Sequence, residues 1–171
     1  MLMLMLLLAL VSVGTAGTSA AADTVRLDAK FSCSAEAAEA RSRDGERRLY
    51  ADSADIHLRG PVIESFAWES SLFRSTHGFD CSIDEGDGLE AEVVPAQAAG
   101  EQRWRIRLQD GGAARTRRGY DSDHGLDCSI GLTQRDNRLQ ITPSCPALCG
   151  SRENFSALTV DLQTGQCDYQ H

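Results

Sequence analysis

Two short stretches of the chain are nearly identical: residues 77–83 have the sequence HGFDCSI and residues 124–130 have the sequence HGLDCSI. Within each copy apolar and polar side chains alternate, which is the pattern of a β-strand with one buried face. The cysteine of each copy, Cys81 or Cys128, falls on the apolar side together with the isoleucine two positions later. The repeat therefore predicts two equivalent strands, each with a half-cystine facing the core.

The similarity extends beyond these seven residues. Two units, around 73–91 and 120–141, share an aromatic residue and a serine before the repeat and a leucine-containing strand pattern after it. A fainter copy of the Phe-x-Cys-Ser pattern occupies residues 31–34. A period of this length indicates a supersecondary unit that is used two or three times within one domain.

Alternation of apolar and polar residues also recurs outside the repeat, with glycine-rich or Asx-containing turns between the segments. We therefore expect an all-β fold, an antiparallel meander that closes into a small barrel of about 8–10 strands. A β-trefoil is the alternative, because three units of four short strands would also account for the chain. A hairpin is expected near Arg135 to Asn137. Residues 35–48 contain helix-forming residues without an apolar stripe, so we expect a loop or a short exposed turn there.

The first 22 residues have the features of a secretory signal peptide. Residues 1–13 form a nearly uninterrupted apolar run that is too short to span a bilayer as a helix, and small residues follow it. We expect cleavage after Ala20 or Ala22, which leaves residues 23–171 as a single β domain in the periplasm or outside the cell.

Six cysteines lie in the part of the chain that we expect to be exported. In an oxidising compartment an even number of cysteines indicates disulfide bonds, here three. No two of them have the C-x2-C spacing of a zinc site, so we expect neither a metal nor another cofactor. The pairing is left open, although Cys128 with Cys145 or Cys149 is reasonable because these cysteines flank the expected hairpin. The cysteines are Cys33, Cys81, Cys128, Cys145, Cys149 and Cys167.

The net charge of the chain indicates which classes of partner are unfavourable. Asp and Glu number 25 against 17 Lys and Arg, and the formal net charge is −8. Electrostatic repulsion from phosphate groups makes nucleic acids and anionic membranes poor partners. The sequence also lacks a nucleophile elbow, a zinc-protease motif and a glycine-rich phosphate loop. We therefore expect a binding module and not an enzyme, with another protein as its partner and no membrane span.

Three groups of residues are candidates for binding. Arginines beside an aromatic residue can hold carboxylates, and a loop braced by two cysteines can display polar side chains with little loss of entropy on docking. The two histidines of the repeat would lie at the rim of the sheets, where they could take part in binding. The candidates are Arg115, Arg117, Arg118 and Tyr120; Ser151, Arg152, Glu153 and Asn154; and His77 and His124.

Several functions are compatible with these features. An inhibitor of, or adaptor to, an envelope or extracellular protein such as a cell-wall hydrolase is the first hypothesis, and it rests on analogy of class. A carrier of a small ligand or carbohydrate is the second, with Trp68 and Trp104 at the mouth of a cavity. The third is an enzyme without a recognisable motif, which would bring together acids of raised pKa in one cleft.

Overall fold

The structure is a computed structural model of the chain, and it describes residues 25–38, 47–75, 77–109, 116, 128–144 and 157–170. The described residues form ten strands and one short 3-10 turn, so the prediction of an all-β fold is confirmed. None of the described segments is a helix that could cross a membrane. The strands are β1 (Arg26–Ala38), β2 (Arg47–Arg59), β3 (Val62–Phe73), β4 (Gly78–Asp84), β5 (Leu89–Val94), β6 (Glu101–Leu108), β7 (Ser129–Arg135), β8 (Arg138–Pro143), β9 (Ala157–Asp161) and β10 (Cys167–Gln170).

The strands form two antiparallel sheets in which neighbours along the chain are neighbours in space. Sheet 1 has the order β1-β2-β3-β4, and sheet 2 has the order β10-β9-β8-β7-β6-β5. This is the predicted meander. Within the described ranges, however, no hydrogen-bonded ladder joins β4 to β5 or β1 to β10, so the expected closure into a barrel is not observed there. The division into four and six strands also differs from the three equal groups of a β-trefoil.

The core lies between the inward faces of the two sheets. A fully buried Leu, Ile or Phe contributes about 1.5–3 kcal/mol, and side chains of this kind make up most of the interior. The two tryptophans are also fully buried, and each indole N–H has an acceptor: Trp68 donates to Asp52 at 2.9 Å and Trp104 donates to the Gly60 carbonyl at 3.0 Å. The second of these bonds joins β6 to the turn between β2 and β3, and it therefore fixes the position of sheet 2 on sheet 1.

The prediction of a loop at residues 35–48 is wrong at both ends of that segment. β1 continues through Ala38, β2 begins at Arg47, and Ala35 lies opposite the buried Tyr50. Alanine has a low preference for strands, but ladder hydrogen bonds and a large cross-strand neighbour outweigh that preference. Residues 39–46 lie outside the described residues.

The cysteine and the isoleucine are buried in both copies of the repeat, but the two copies occupy different places in the sheets. Cys81 and Ile83 in the first copy are buried, as are Cys128 and Ile130 in the second. Yet β4 pairs only with β3 at the end of sheet 1, whereas β7 lies between β6 and β8 in sheet 2. After β4 the chain crosses to the other sheet, whereas after β7 it turns directly into β8 through the predicted hairpin. The repeat therefore describes a local strand pattern and not an equivalent position in the fold.

A disulfide bond joins the first strand to the last. Cys33 on β1 is bonded to Cys167 on β10, and 134 positions separate them in the sequence. Cys81 and Cys128 are disulfide-bonded as well. Cys145 and Cys149 lie outside the described residues, and so do residues 1–24 with the expected signal peptide. The Cys33–Cys167 bond thus connects the two sheets at a seam that has no backbone ladder among the described residues.

Replacing both Cys33 and Cys167 with Ser should lower the free energy of unfolding by roughly 4 kcal/mol, because a cross-link across so long a loop strongly restricts the unfolded chain. Urea denaturation of the oxidised proteins measures this difference. The matched control replaces the exposed neighbours Ser34 and Asp168 with Ala and should be close to wild type. A loss below about 1 kcal/mol in the double cysteine variant would show that the seam is held by other contacts.

Candidate functional site

Nearly all the binding residues predicted from the sequence lie outside the described residues. His77 is the exception: it is exposed just before β4, and its ring meets that of Phe79 edge to face, with centroids 5.1 Å apart. Phe73, which is also exposed, lies opposite Gly78 in the ladder between β3 and β4. His77 therefore belongs to a small aromatic cluster at one end of sheet 1. The predicted residues outside the described ranges are Arg115, Arg117, Arg118, Tyr120, His124, Ser151, Arg152, Glu153 and Asn154.

The tryptophans do not lie where a ligand carrier would need them. Trp68 and Trp104 are 0% and 1% exposed, and their indole nitrogens are bonded within the core. The expectation that they line the mouth of a cavity is therefore wrong. Their alternation with apolar residues in β3 and β6 is explained by packing.

A buried carboxyl group that the sequence analysis missed lies in the interior of sheet 1. Asp52 on β2 is 3% exposed, and its neighbours across the ladders are Cys33 on β1 and Ser70 on β3. The aromatic residues Trp68 and Tyr169 complete its surroundings, with Trp68 Nε1 donating to Oδ1. The signal was present in the sequence, because Asp52 stands in register with the inward-facing residues of β2 where an apolar residue is expected.

Burial raises the pKa of Asp52 to about 6, because removal from water penalises the charged carboxylate. Hydrogen bonds from Tyr169, Ser70 and Trp68 favour the charged form and offset part of this effect. The same burial, reinforced by the nearby Asp52 charge, raises the pKa of the Tyr169 hydroxyl. Tyr169 comes from β10 in sheet 2, so the carboxyl connects the two sheets beside the Cys33–Cys167 bond.

Replacing Asp52 with Asn should remove a pH dependence of stability. In the unfolded chain the carboxyl titrates near 3.8, so between about pH 4 and pH 6 the folded protein retains a proton that the unfolded chain has lost. The contribution of Asp52 is fully present below about pH 4 and is lost as the pH rises through about 6, a change of about 3 kcal/mol. The variant should lack this fall and be the more stable protein above pH 6.

Urea denaturation of both proteins between pH 4 and pH 8 measures this difference. Asp161→Asn is the matched control, since hydrogen bonds from the backbone N–H groups of Thr164 and Gln163 lower the pKa of this carboxyl. Its contribution is therefore lost only at lower pH, and the slope in the measured range should match that of the wild type. If the stability of the Asp52 variant falls with rising pH as steeply as that of the wild type, the raised pKa of Asp52 is contradicted.

The outward face of sheet 1 carries a paired charge network. His57 lies between two carboxylates, with Nδ1 2.8 Å from Asp28 and Nε2 2.8 Å from Asp55. These contacts, first the hydrogen bond with Asp28, raise the pKa of His57. The pKa of Asp55 is lowered, chiefly by Lys30. Among the described carboxyl groups with a resolved shift, Asp52 alone has a raised pKa, and no group of described residues could hold a metal ion.

An open groove lies where the two sheets separate, and we call it the β3–β5 groove. It has a volume of about 560 Å³. One wall is the turn before β3 and its first residues, and the other wall is β5. Four consecutive residues of β5 line it, although their side chains alternate between the two faces of the sheet, so the groove follows the edge of the strand and not a face. The lining residues are Pro61, Ile63, Leu89, Glu90, Ala91, Glu92 and Arg107.

The groove is formed by the crossing from β4 to β5. Asp84 accepts from the Gly86 N–H at 2.8 Å, and Asp87 accepts from the Asp84 N–H at 2.9 Å, which stabilises the 3-10 turn at Glu85–Asp87. Gly88 then adopts a positive φ of 69°, a conformation that favours glycine. The Phe66 N–H of β3 donates to Glu85 at 2.8 Å. Both walls are thereby attached to one hydrogen-bonded turn.

The fold is that of a disulfide-bonded domain of two antiparallel sheets, with a buried carboxyl at one seam and a groove at the other. No family model, curated protein or solved structure matches this chain.

Proposed function

We propose that the protein is an exported binding module that acts without catalysis by holding another protein in the β3–β5 groove. The observation that carries this proposal is the groove itself, which combines apolar lining residues with charged residues at its rim. Such a composition is typical of surfaces that bury an apolar contact inside a polar border. The Cys33–Cys167 bond is compatible with an extracellular or periplasmic location.

The hydrogen bonding around the groove supports binding. Its walls are held by hydrogen bonds of the Glu85–Asp87 turn, so little conformational entropy would be lost when a partner docks. Next to the lining residues Pro61 and Ile63, Val62 is 58% exposed and is the most exposed large hydrophobic residue of the described chain. Together these residues offer apolar area that is accessible without rearrangement.

We propose further that the two sheets are the two parts of an open barrel and that the groove is one of its seams. A cell-wall hydrolase remains our concrete proposal for the partner, in which case the protein is an inhibitor or an adaptor. An acidic chain with a net charge of −8 associates fastest with a partner of opposite charge, so basic hydrolases are the first to test.

Replacing Pro61 with Asp should weaken a complex with such a hydrolase by about tenfold, because a carboxylate in the groove wall must be desolvated when the partner docks. The measurement is calorimetric titration against a panel of purified cell-wall hydrolases, together with their residual activity. Phe73→Asp is the matched control. Like Val62, Phe73 is a large exposed hydrophobic residue, but it lies at the opposite end of β3 from the groove.

The panel has clear outcomes. Binding that is weakened by Pro61→Asp and unaffected by Phe73→Asp supports the groove as the site. The reverse pattern would assign the site to the aromatic cluster around His77 and overturn the groove. A panel in which no hydrolase binds overturns the hydrolase as the partner.

A further inference from the structure

The outer edge of β5 has backbone groups that no other described strand uses. The Gln109 N–H donates to the Gly88 carbonyl at 2.7 Å, and these two residues lie directly opposite one another just before β5 and just after β6. In an antiparallel pair, hydrogen-bonded and non-hydrogen-bonded positions alternate. The N–H and C=O groups of Leu89, Ala91 and Val93 therefore point away from β6, towards the groove.

The wall formed by the start of β3 also has a strand edge that no other described strand uses. β4 pairs with β3 only from Ala67 onward, so within the described chain the segment from Val62 to Ser65 has no strand on that side. Glu64 forms a bulge in the ladder with β2, because His57 pairs with Ser65 whereas Leu58 pairs with Ile63. The groove is thus a gap between two strand edges where the sheets separate.

We propose that an extended segment of the partner protein binds in this gap as an additional strand, antiparallel or parallel to β5, with basic side chains beside Glu90 and Glu92. This inference rests on the proposed function and names the form in which the partner is held. Strand addition obtains its affinity from main-chain hydrogen bonds and its specificity from alternate side chains. Leu89 and Ala91 would contact the inward-facing side chains of the guest strand.

The charges at the rim favour a basic guest. Glu90 and Glu92 point outward on β5, and Glu92 is already paired with Arg105 and Arg107 on the neighbouring strand β6, at 3.6 and 3.1 Å. A guest strand would place its outward side chains on the other side of the same glutamates. Lysine or arginine there would continue a row of alternating charge, and opposite charges across a ladder are stabilising.

The same charges argue against a second copy of this chain as the guest. If two β5 strands paired antiparallel about Ala91, Glu90 of one copy would lie opposite Glu92 of the other. Like charges directly opposite each other are destabilising. The net charge of −8 on each copy adds a long-range repulsion.

Ala91→Pro tests the main-chain contact directly. Proline removes the N–H that points into the groove, and an edge strand tolerates proline at a position whose N–H is unpaired. Ala91→Val is the matched control, because it retains the N–H and favours a strand. The probe is a short synthetic peptide of alternating valine and lysine, compared with a valine and glutamate peptide and with a lysine peptide in which every backbone amide is N-methylated, so that neither edge can donate.

Binding of the lysine peptide to the full-length protein should be about tenfold weaker in Ala91→Pro and close to wild type in Ala91→Val. The glutamate peptide and the N-methylated peptide should bind at least about tenfold more weakly than the lysine peptide. Hydrogen exchange should show new protection at Leu89, Ala91 and Val93 when the lysine peptide is bound. Circular dichroism and urea denaturation establish that each variant is folded.

The outcomes separate this inference from the proposed function. If Pro61→Asp weakens a hydrolase complex but Ala91→Pro weakens neither that complex nor peptide binding, the groove binds its partner by side chains alone and strand addition is overturned. Equal binding of the lysine and N-methylated peptides would also overturn it. If the lysine peptide adds to β5 but no protein complex depends on Pro61, strand addition stands as a property of the edge and the proposed function fails.

Discussion

The Cys33–Cys167 bond joins the first described strand of the meander to the last, and it thereby links sheet 1 covalently to sheet 2. Each strand pairs with the next only within its own sheet, so among the described residues no ladder joins β1 to β10 or β4 to β5. The disulfide joins β1 to β10 at one seam, and the buried Asp52 and Tyr169 lie beside it. Without this connection, contact between the two inward faces would depend on the apolar core and on bonds such as that between Trp104 and Gly60.

The buried carboxyl at this seam reduces stability in its charged form, whereas the disulfide increases stability. A carboxyl group in an apolar interior is costly in its charged form, and the hydrogen bonds around Asp52 offset only part of that cost, as the raised pKa shows. A neutral side chain would avoid the cost altogether. The cross-link next to Asp52 restricts the unfolded chain strongly enough to tolerate an unfavourable residue in the ladder between Cys33 and Ser70.

Local sequence pattern was sufficient to predict much of the fold, but it did not predict the β3–β5 groove. Alternation at residues such as Phe66 and Trp104 predicted strands, because a period of two directly reflects burial on one face. It did not predict that β4 and β7 occupy different places in the sheets, since identical local sequences carry no information on which strand lies alongside. The binding residues were sought in charged and aromatic clusters, whereas the groove arises from backbone geometry. Leu89 and Ala91 look like ordinary strand residues, and their edge is open because β5 is the last described strand of sheet 2.

The two seams of the fold therefore differ in how their unpaired strand edges are treated. Strand edges that lack a partner expose N–H and C=O groups, and proteins usually cover or interrupt such edges. Between β1 and β10 a covalent bond and buried side chains hold the edges together. Between β3 and β5 the Glu85–Asp87 turn connects the walls, no described strand fills the gap, and Glu90 and Glu92 lie where like charges would oppose pairing with another copy of the same chain. An edge that no described strand covers, with charges that oppose self-association, retains the capacity to pair with a strand of complementary charge.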